Sequence, residues 1–150
     1  MEVRSKVFTY ITSVEWKGEK KALATSEGKP SLEVATPPEF KGHAGIWSPE
    51  DLFVEAVNAC IMTTFLSFIE RAGLVLSGYS SVAEGKLERG ADGFSFTEII
   101  VRPSIKVTNE EDQAKAEELI EKAEANCLIS NSIKSRVILE AVVVISAPTA

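Results

Sequence analysis

One segment constrains the fold more than any other. Residues 48 to 73 read as a single long helix, apolar nearly all round in its centre, inside a chain otherwise built from strand-forming runs. Ser48 has the character of an N-cap, and Pro49 suits the first helical position. Asp51 stands three residues after the serine, where its carboxylate can reach back to the cap. The predicted helix runs to about Ala72, and Gly73 supplies the left-handed stop. A helix apolar around its circumference belongs in a core. Its most apolar part, Ala56 to Ile69, is interrupted by Asn58, Thr63, Thr64 and Ser67. That part is shorter and more polar than the about 20 apolar residues of a membrane crossing.

Strand signals surround this helix. Residues 3–16, rich in Val, Thr, Phe, Tyr and Ile, predict a long strand, and Lys17-Gly18-Glu19-Lys20 a turn. Shorter strands are expected over 21–27 and 31–36, on either side of Gly28-Lys29-Pro30. Thr36 to Ser48, with two prolines, two glycines and His43, reads as a long loop leading into the helix. Two more strands, about 76–89 and 93–107, are joined by Gly90-Ala91-Asp92-Gly93. In the second, Thr97, Ile99, Val101, Pro103, Ile105 and Val107 share one face by period two, and Pro103 suits an edge or a bulge. Thr108 with Glu111 forms a capping-box signature for a second helix reaching Asn126 or slightly beyond. Ala116, Leu119, Ile120, Ala123 and Cys127 lie on one face of it. Residues 136–146 close the chain as a β-branched strand. Strands, buried helix, strands, amphipathic helix and strand make an α+β fold, read as one domain over residues 1–150.

Composition removes several function classes. The 150-residue chain carries 16 Lys+Arg against 22 Asp+Glu, a net charge of −6, without a basic block. That argues against nucleic-acid binding through phosphate neutralisation. Two cysteines and one histidine are too few for a Cys/His zinc site. No G-x-G-x-x-G, Walker A or G-x-S-x-G pattern occurs, and no cofactor is expected. The N-terminus MEVRSKVFTY lacks the apolar region of a signal peptide, so a cytoplasmic protein without a membrane segment is expected. His43 and Trp47 read as loop residues, the latter packing at the helix start. The chemistry left to such a chain is that of thiols and carboxylates.

Cys60 lies mid-helix between Ala59 and Ile61, and Cys127 lies on the apolar face of the second helix. Each, taken alone, is a small buried hydrophobe. Taken together, both point toward one core, where two sulfurs can meet if their Cα atoms come within about 4.4–6.8 Å. A mid-helix cysteine gains nothing from the helix dipole, so a reactive Cys60 needs another group to lower its pKa. Glu50 stands ten residues earlier, about 15 Å along the helix axis. It cannot touch Cys60 through the helix, but it is placed to orient a cation from the preceding loop.

The segment Ser48-Pro49-Glu50-Asp51-Leu52-Phe53, followed by Ala56, Asn58, Ala59 and Cys60, resembles the Pro-Glu-x-Leu-(x)n-Ala-Cys helix of the OsmC/Ohr thiol peroxidases. Ala123-Glu124-Ala125-Asn126-Cys127-Leu128-Ile129-Ser130-Asn131 is similar to the family's second cysteine segment, commonly Cys-Pro-x-Ser. Ala35 to Gly42 resembles the loop before the cysteine helix. The resemblance implies an OsmC-like fold, with two antiparallel-rich sheets wrapped around a buried central helix in an intertwined homodimer. It implies that Cys60 attacks an organic hydroperoxide and becomes a sulfenic acid, which Cys127 resolves as a disulfide. A dithiol, typically lipoyl, then reduces the pair, and Glu50 holds the family's catalytic arginine against Cys60. The chain departs from the family in having no arginine between Arg4 and Arg71 and in placing Leu128 where the family has proline. These departures describe a divergent OsmC-like member. The competing reading on the same fold is a small-molecule or lipid-binding module.

Overall fold

The computed structural model describes residues 6–146. The chain divides into two compact units, the first ending at Leu52 and the second beginning at Phe53.

The first unit carries an antiparallel meander of β1 (Ser13–Trp16), β2 (Lys21–Thr25) and β3 (Leu32–Ala35). The long strand expected over residues 3–16 shrinks to the four residues of β1, and residues 6–16 are exposed throughout. Β-branched residues favour a strand only where a partner supplies hydrogen bonds and burial. In this unit only the stretch facing β2 has one.

The segment between β3 and the first helix is more ordered than a loop. A 3-10 turn at Pro38–Phe40 ends in Lys41 with φ of 61°. The His43 amide then donates to the Thr36 carbonyl (2.8 Å), and the Lys20 ammonium donates to the carbonyls of Phe40 (3.3 Å) and Lys41 (3.1 Å). Gly42 is obligatory there, because a Cβ would fall 1.7 Å from the Thr36 oxygen.

Helix α1 (Pro49–Ala72) starts and stops where its sequence indicates. The Ser48 amide donates to the Asp51 carboxylate (2.9 Å), and the Asp51 amide donates to the Ser48 hydroxyl (3.1 Å), a complete capping box. At the other end Gly73 takes φ of 66°, and the amides of Gly73 and Leu74 donate back to Glu70 and Ile69. That is a Schellman closure.

The second unit is built on β4 (Gly78–Gly90) and β5 (Gly93–Val107), a long antiparallel hairpin with a bulge at Lys86/Leu87. Strand β5 also pairs, in parallel, with β6 (Arg136–Leu139) and β7 (Val142–Ile145). The single closing strand expected over 136–146 is therefore two, interrupted at Glu140–Ala141. Pro103 explains the interruption. The Val101 and Val107 carbonyls accept from Glu140 and Ser146, so the odd residues of β5 turn their backbone groups toward β6 and β7. Pro103 shares that phase and has no N–H to offer, and it sits where β6 has ended and β7 has not begun. It occupies a central strand rather than an edge, at a gap in the neighbouring ladder.

Helix α2 (Glu110–Ala125) is capped by Asn109, whose side chain accepts from the Asp112 amide at 2.8 Å. Thr108 fits the same pattern one residue earlier, but asparagine is at least as good an N-cap and Asp112 completes its frame. Ala116, Leu119, Ile120 and Ala123 are buried as their spacing requires. They join Val57, Ile61, Phe65 and Ile69 of α1 and Ile99, Val101, Ile105 and Val107 of β5 in one core. Helix α1 thus buries one stripe at four-residue spacing rather than its whole circumference, and Leu66 remains 39% exposed. At 24 residues, with mean hydropathy 1.8 over an 18-residue window, it is long and apolar enough to cross a membrane by length and composition, more than the Ala56–Ile69 stretch alone indicates.

Candidate active site: the Cys60–Cys127 pair

The two cysteines meet in the second unit. Cys60 is half-buried on α1, with the Thr64 hydroxyl one turn on at 3.9 Å from its sulfur. Cys127 lies two residues beyond the end of α2 rather than on it, yet it is fully buried in the same core. Both thiols are free. The Ser130 amide donates to the Cys127 sulfur at 3.5 Å, and the Asn131 amide closes the turn on the Cys127 carbonyl at 3.0 Å.

The surroundings polarise the pair in opposite directions. Burial pushes the Cys60 thiol up, but it is outweighed by hydrogen bonds from the Cys127 thiol, the Ile129 main chain, the Thr64 hydroxyl and the Leu128 main chain, and Cys60 ends below the ordinary thiol range. Burial pushes Cys127 up; Ser130 offsets part of this, and charge on the neighbouring Cys60 raises it further. The two thiols are thus shifted in opposite directions, Cys60 down and Cys127 up.

Every group that holds Cys60 down is a neutral donor. Thr64 was detectable in the sequence as the residue at i+4 from Cys60. The main-chain donors were not, because they depend on how the turn after α2 folds back. Leu128 matters here for what it retains: a proline at this position would have no N–H to offer the sulfur.

The remaining expected participants lie as follows. Glu50 is in the first turn of α1, and its Oε2 is buried with no hydrogen-bond partner among the described residues. Arg102 is engaged on the sheet by Glu84 (2.9 Å) and Glu140 (3.4 Å), while Arg71 and Arg136 are exposed. Arg4 lies outside the described residues. His43 is 3.8 Å from Glu19 within the first unit. No group of three or more His, Cys, Asp or Glu side chains able to hold a metal ion occurs among the described residues.

On another flank of α1, Asn58, Met62, Tyr79 and Ser81 border an open cavity of about 140 Å³. The Tyr79 ring packs on Phe65 at 5.7 Å, and its buried hydroxyl makes no hydrogen bond of good geometry. Burial pushes its pKa up to about 12, with Ser81 offsetting part of the rise. The folded chain holds this proton more tightly than the unfolded chain, where tyrosine titrates near ~10. The associated stability is present below pH ~10 and is lost as the pH rises through the folded value. Tyr79→Phe is expected to remove this alkaline loss while changing stability at neutral pH by less than about 1 kcal/mol. Denaturant unfolding of both forms across the alkaline range measures it.

An α+β chain with a long cysteine-bearing helix and a second cysteine after an amphipathic helix defines a two-thiol class of proteins. The chain belongs to the OsmC-like protein family, whose model matches residues 42–141. It is 27% identical to the uncharacterized protein YmaD of Bacillus subtilis, covering 87% of this chain and 90% of that protein. It is also 27% identical to the peroxiredoxin OsmC of Escherichia coli, over 67% of this chain and 69% of that one. Among solved structures, an organic hydroperoxide resistance protein OsmC from Legionella pneumophila superposes with a TM-score of 0.73 at 26% identity, over 93% of this chain and 98% of that one.

Proposed function

We propose that this protein is a thiol-dependent peroxidase that reduces organic hydroperoxides to alcohols. The observation that carries the reading is the meeting of two free thiols in one core, with the Thr64 hydroxyl at the Cys60 sulfur and the Ser130 amide at the Cys127 sulfur, surroundings that shift Cys60 down and Cys127 up. The thiolate is the nucleophile in such chemistry, so the pair comes with its roles divided. The Cys60 sulfur attacks the distal oxygen of the hydroperoxide; an S–O bond forms, the O–O bond breaks, and the alkoxide takes a proton and leaves as the alcohol. Cys127 then converts the sulfenic acid to a disulfide with loss of water. A dithiol, of the lipoyl type in the family this chain resembles, returns both sulfurs to thiols. Glu50, with an unpartnered buried carboxylate oxygen, is the acceptor for an orienting cation.

The test is purified protein with cumene hydroperoxide and a dithiol reductant, with mass spectrometry of the oxidised form. The expected result is dithiol-dependent turnover and loss of two hydrogens as Cys60 and Cys127 join. Thiols left unmodified by peroxide overturn the reading and favour the small-molecule binding module.

We further propose that the functional unit is an intertwined homodimer. Val7, Phe8, Tyr10, Ile11, Val14 and Trp16 are each at least 75% exposed along one N-terminal stretch. An apolar run of this kind marks an interaction surface, and a second copy, as the family resemblance implies, would cover it. Sedimentation is expected to give twice the 16.3 kDa chain mass. Ile11→Glu is expected to shift the protein to monomer; a wild-type monomer at micromolar concentration refutes the assembly.

A further inference from the structure

Ser130 opens a 3-10 turn, Ser130–Ser132, three residues after Cys127. Other groups hold that turn closed. The Asn131 amide donates to the Cys127 carbonyl (3.0 Å) and the Ser132 amide to the Ile129 carbonyl (3.0 Å). The Ser132 hydroxyl donates to the Leu128 carbonyl (2.6 Å), and the Asn131 side chain to the Ala125 carbonyl (3.2 Å). The Ser130 side chain takes no part in this closure. Its hydroxyl is buried and has no hydrogen bond of ordinary geometry among the described residues. A buried hydroxyl left this way costs stability.

The Cys127 sulfur lies next to it. The Ser130 amide already donates to that sulfur at 3.5 Å, and the hydroxyl is near enough to favour charge there. The amide and the hydroxyl of one residue thus lie beside the Cys127 sulfur, the amide bonded to it and the hydroxyl without another partner. They gain value only when the sulfur becomes negative, as donors do when aimed at charge that develops during a reaction.

We propose that Ser130 is a catalytic residue of the resolving step, whose amide and hydroxyl stabilise the Cys127 thiolate as it attacks the Cys60 sulfenic acid. The assignment rests on the peroxidase reading above. In the step, the Cys127 sulfur bonds to the Cys60 sulfur and the S–O bond of the sulfenic acid breaks. The departing hydroxide takes the proton released by Cys127 and leaves as water. Cys127 is oxidised and Cys60 is reduced, so the electrons balance without a further reagent.

The arrangement also orders the two steps. While Cys60 is a thiolate, its charge and hydrogen bond keep the proton on Cys127. Oxidation to the neutral sulfenic acid removes the Cys60 charge, and the Ser130 donors then work against burial without it. Ionisation of Cys127 is thereby made easier once there is a sulfenic acid to resolve.

Two measurements test this. In the first, the sulfenic acid is followed after a single peroxide pulse in wild type, Ser130→Ala and Ser130→Thr. Loss of the hydroxyl is expected to lengthen the sulfenate lifetime about tenfold and to move the pH midpoint of resolution upward, with threonine restoring both. In the second, the thiolate absorbance of Cys127 is titrated in the Cys60→Ser protein with and without Ser130→Ala. The midpoint is expected to rise by about one pH unit when the hydroxyl is removed. An unchanged lifetime with an unchanged midpoint overturns the assignment. If wild-type protein forms no sulfenate at all, the peroxidase reading fails, while the titration still decides whether Ser130 acts on the Cys127 charge.

Discussion

Cys60→Ser is expected to abolish sulfenate formation and to lower peroxide turnover by on the order of 10³-fold or more, because the variant removes the nucleophile itself. Cys127→Ser should behave differently. Its Cys60 keeps the Thr64 hydroxyl and the main-chain donors of Leu128 and Ile129, so it still reacts with peroxide. With no second sulfur, the sulfenic acid accumulates and is trappable with a sulfenate-specific reagent. The pH dependence carries a sign as well. Cys60 is held below the ordinary thiol range, so the rate of sulfenate formation in wild type rises through a midpoint lower than that of a free cysteine. Turnover that survives the loss of Cys60 would eliminate the mechanism, and sulfenate formation with an ordinary thiol midpoint would remove its electrostatic basis.

The second large effect concerns stability. Phe65 is fully buried where α1 meets the sheet, with its ring 5.7 Å from that of Tyr79 and with Val57, Ile61 and Ile69 in the same cluster. Phe65→Ala removes most of a side chain from a site enclosed by rigid elements, and such changes cost about 3–5 kcal/mol. At about 2–4 °C per kcal/mol for a chain of this size, the thermal midpoint should fall by about 6–20 °C. Val82, 68% exposed on β4, is the internal control: Val82→Ala is expected to stay within about 0.5 kcal/mol of wild type. Thermal unfolding of the two variants side by side checks the contrast. Equal losses would mean that α1 does not pack on the sheet as described.

What could be read from the sequence follows the range of each interaction. Ser48, Pro49, Asp51 and Gly73 set the limits of α1 through bonds spanning three to five residues, and the structure has both ends where they indicate. The apolar face of α2 was equally legible from its spacing. Features that depend on partners were not. Residues 6–12 have strand composition without a strand neighbour, and the closing strand breaks opposite a proline more than thirty residues earlier. The candidate site divides the same way. The two cysteines and Glu50 stand out by position and resemblance, and Thr64 by helical spacing. The donors from Leu128, Ile129 and Ser130 depend on a turn whose path no local pattern specifies.

The gap that Pro103 opens between β6 and β7 has a consequence beyond pairing. Residues 136–146 are the most β-prone stretch of the chain, of the kind that stacks between molecules when six or seven such residues lie in line. Divided at Glu140–Ala141, the stretch forms two segments of four residues each, both shorter than that length, with Glu140 held by Arg102 between them. One imino acid in the neighbouring strand thereby limits how much continuous edge the sheet presents for fibril growth.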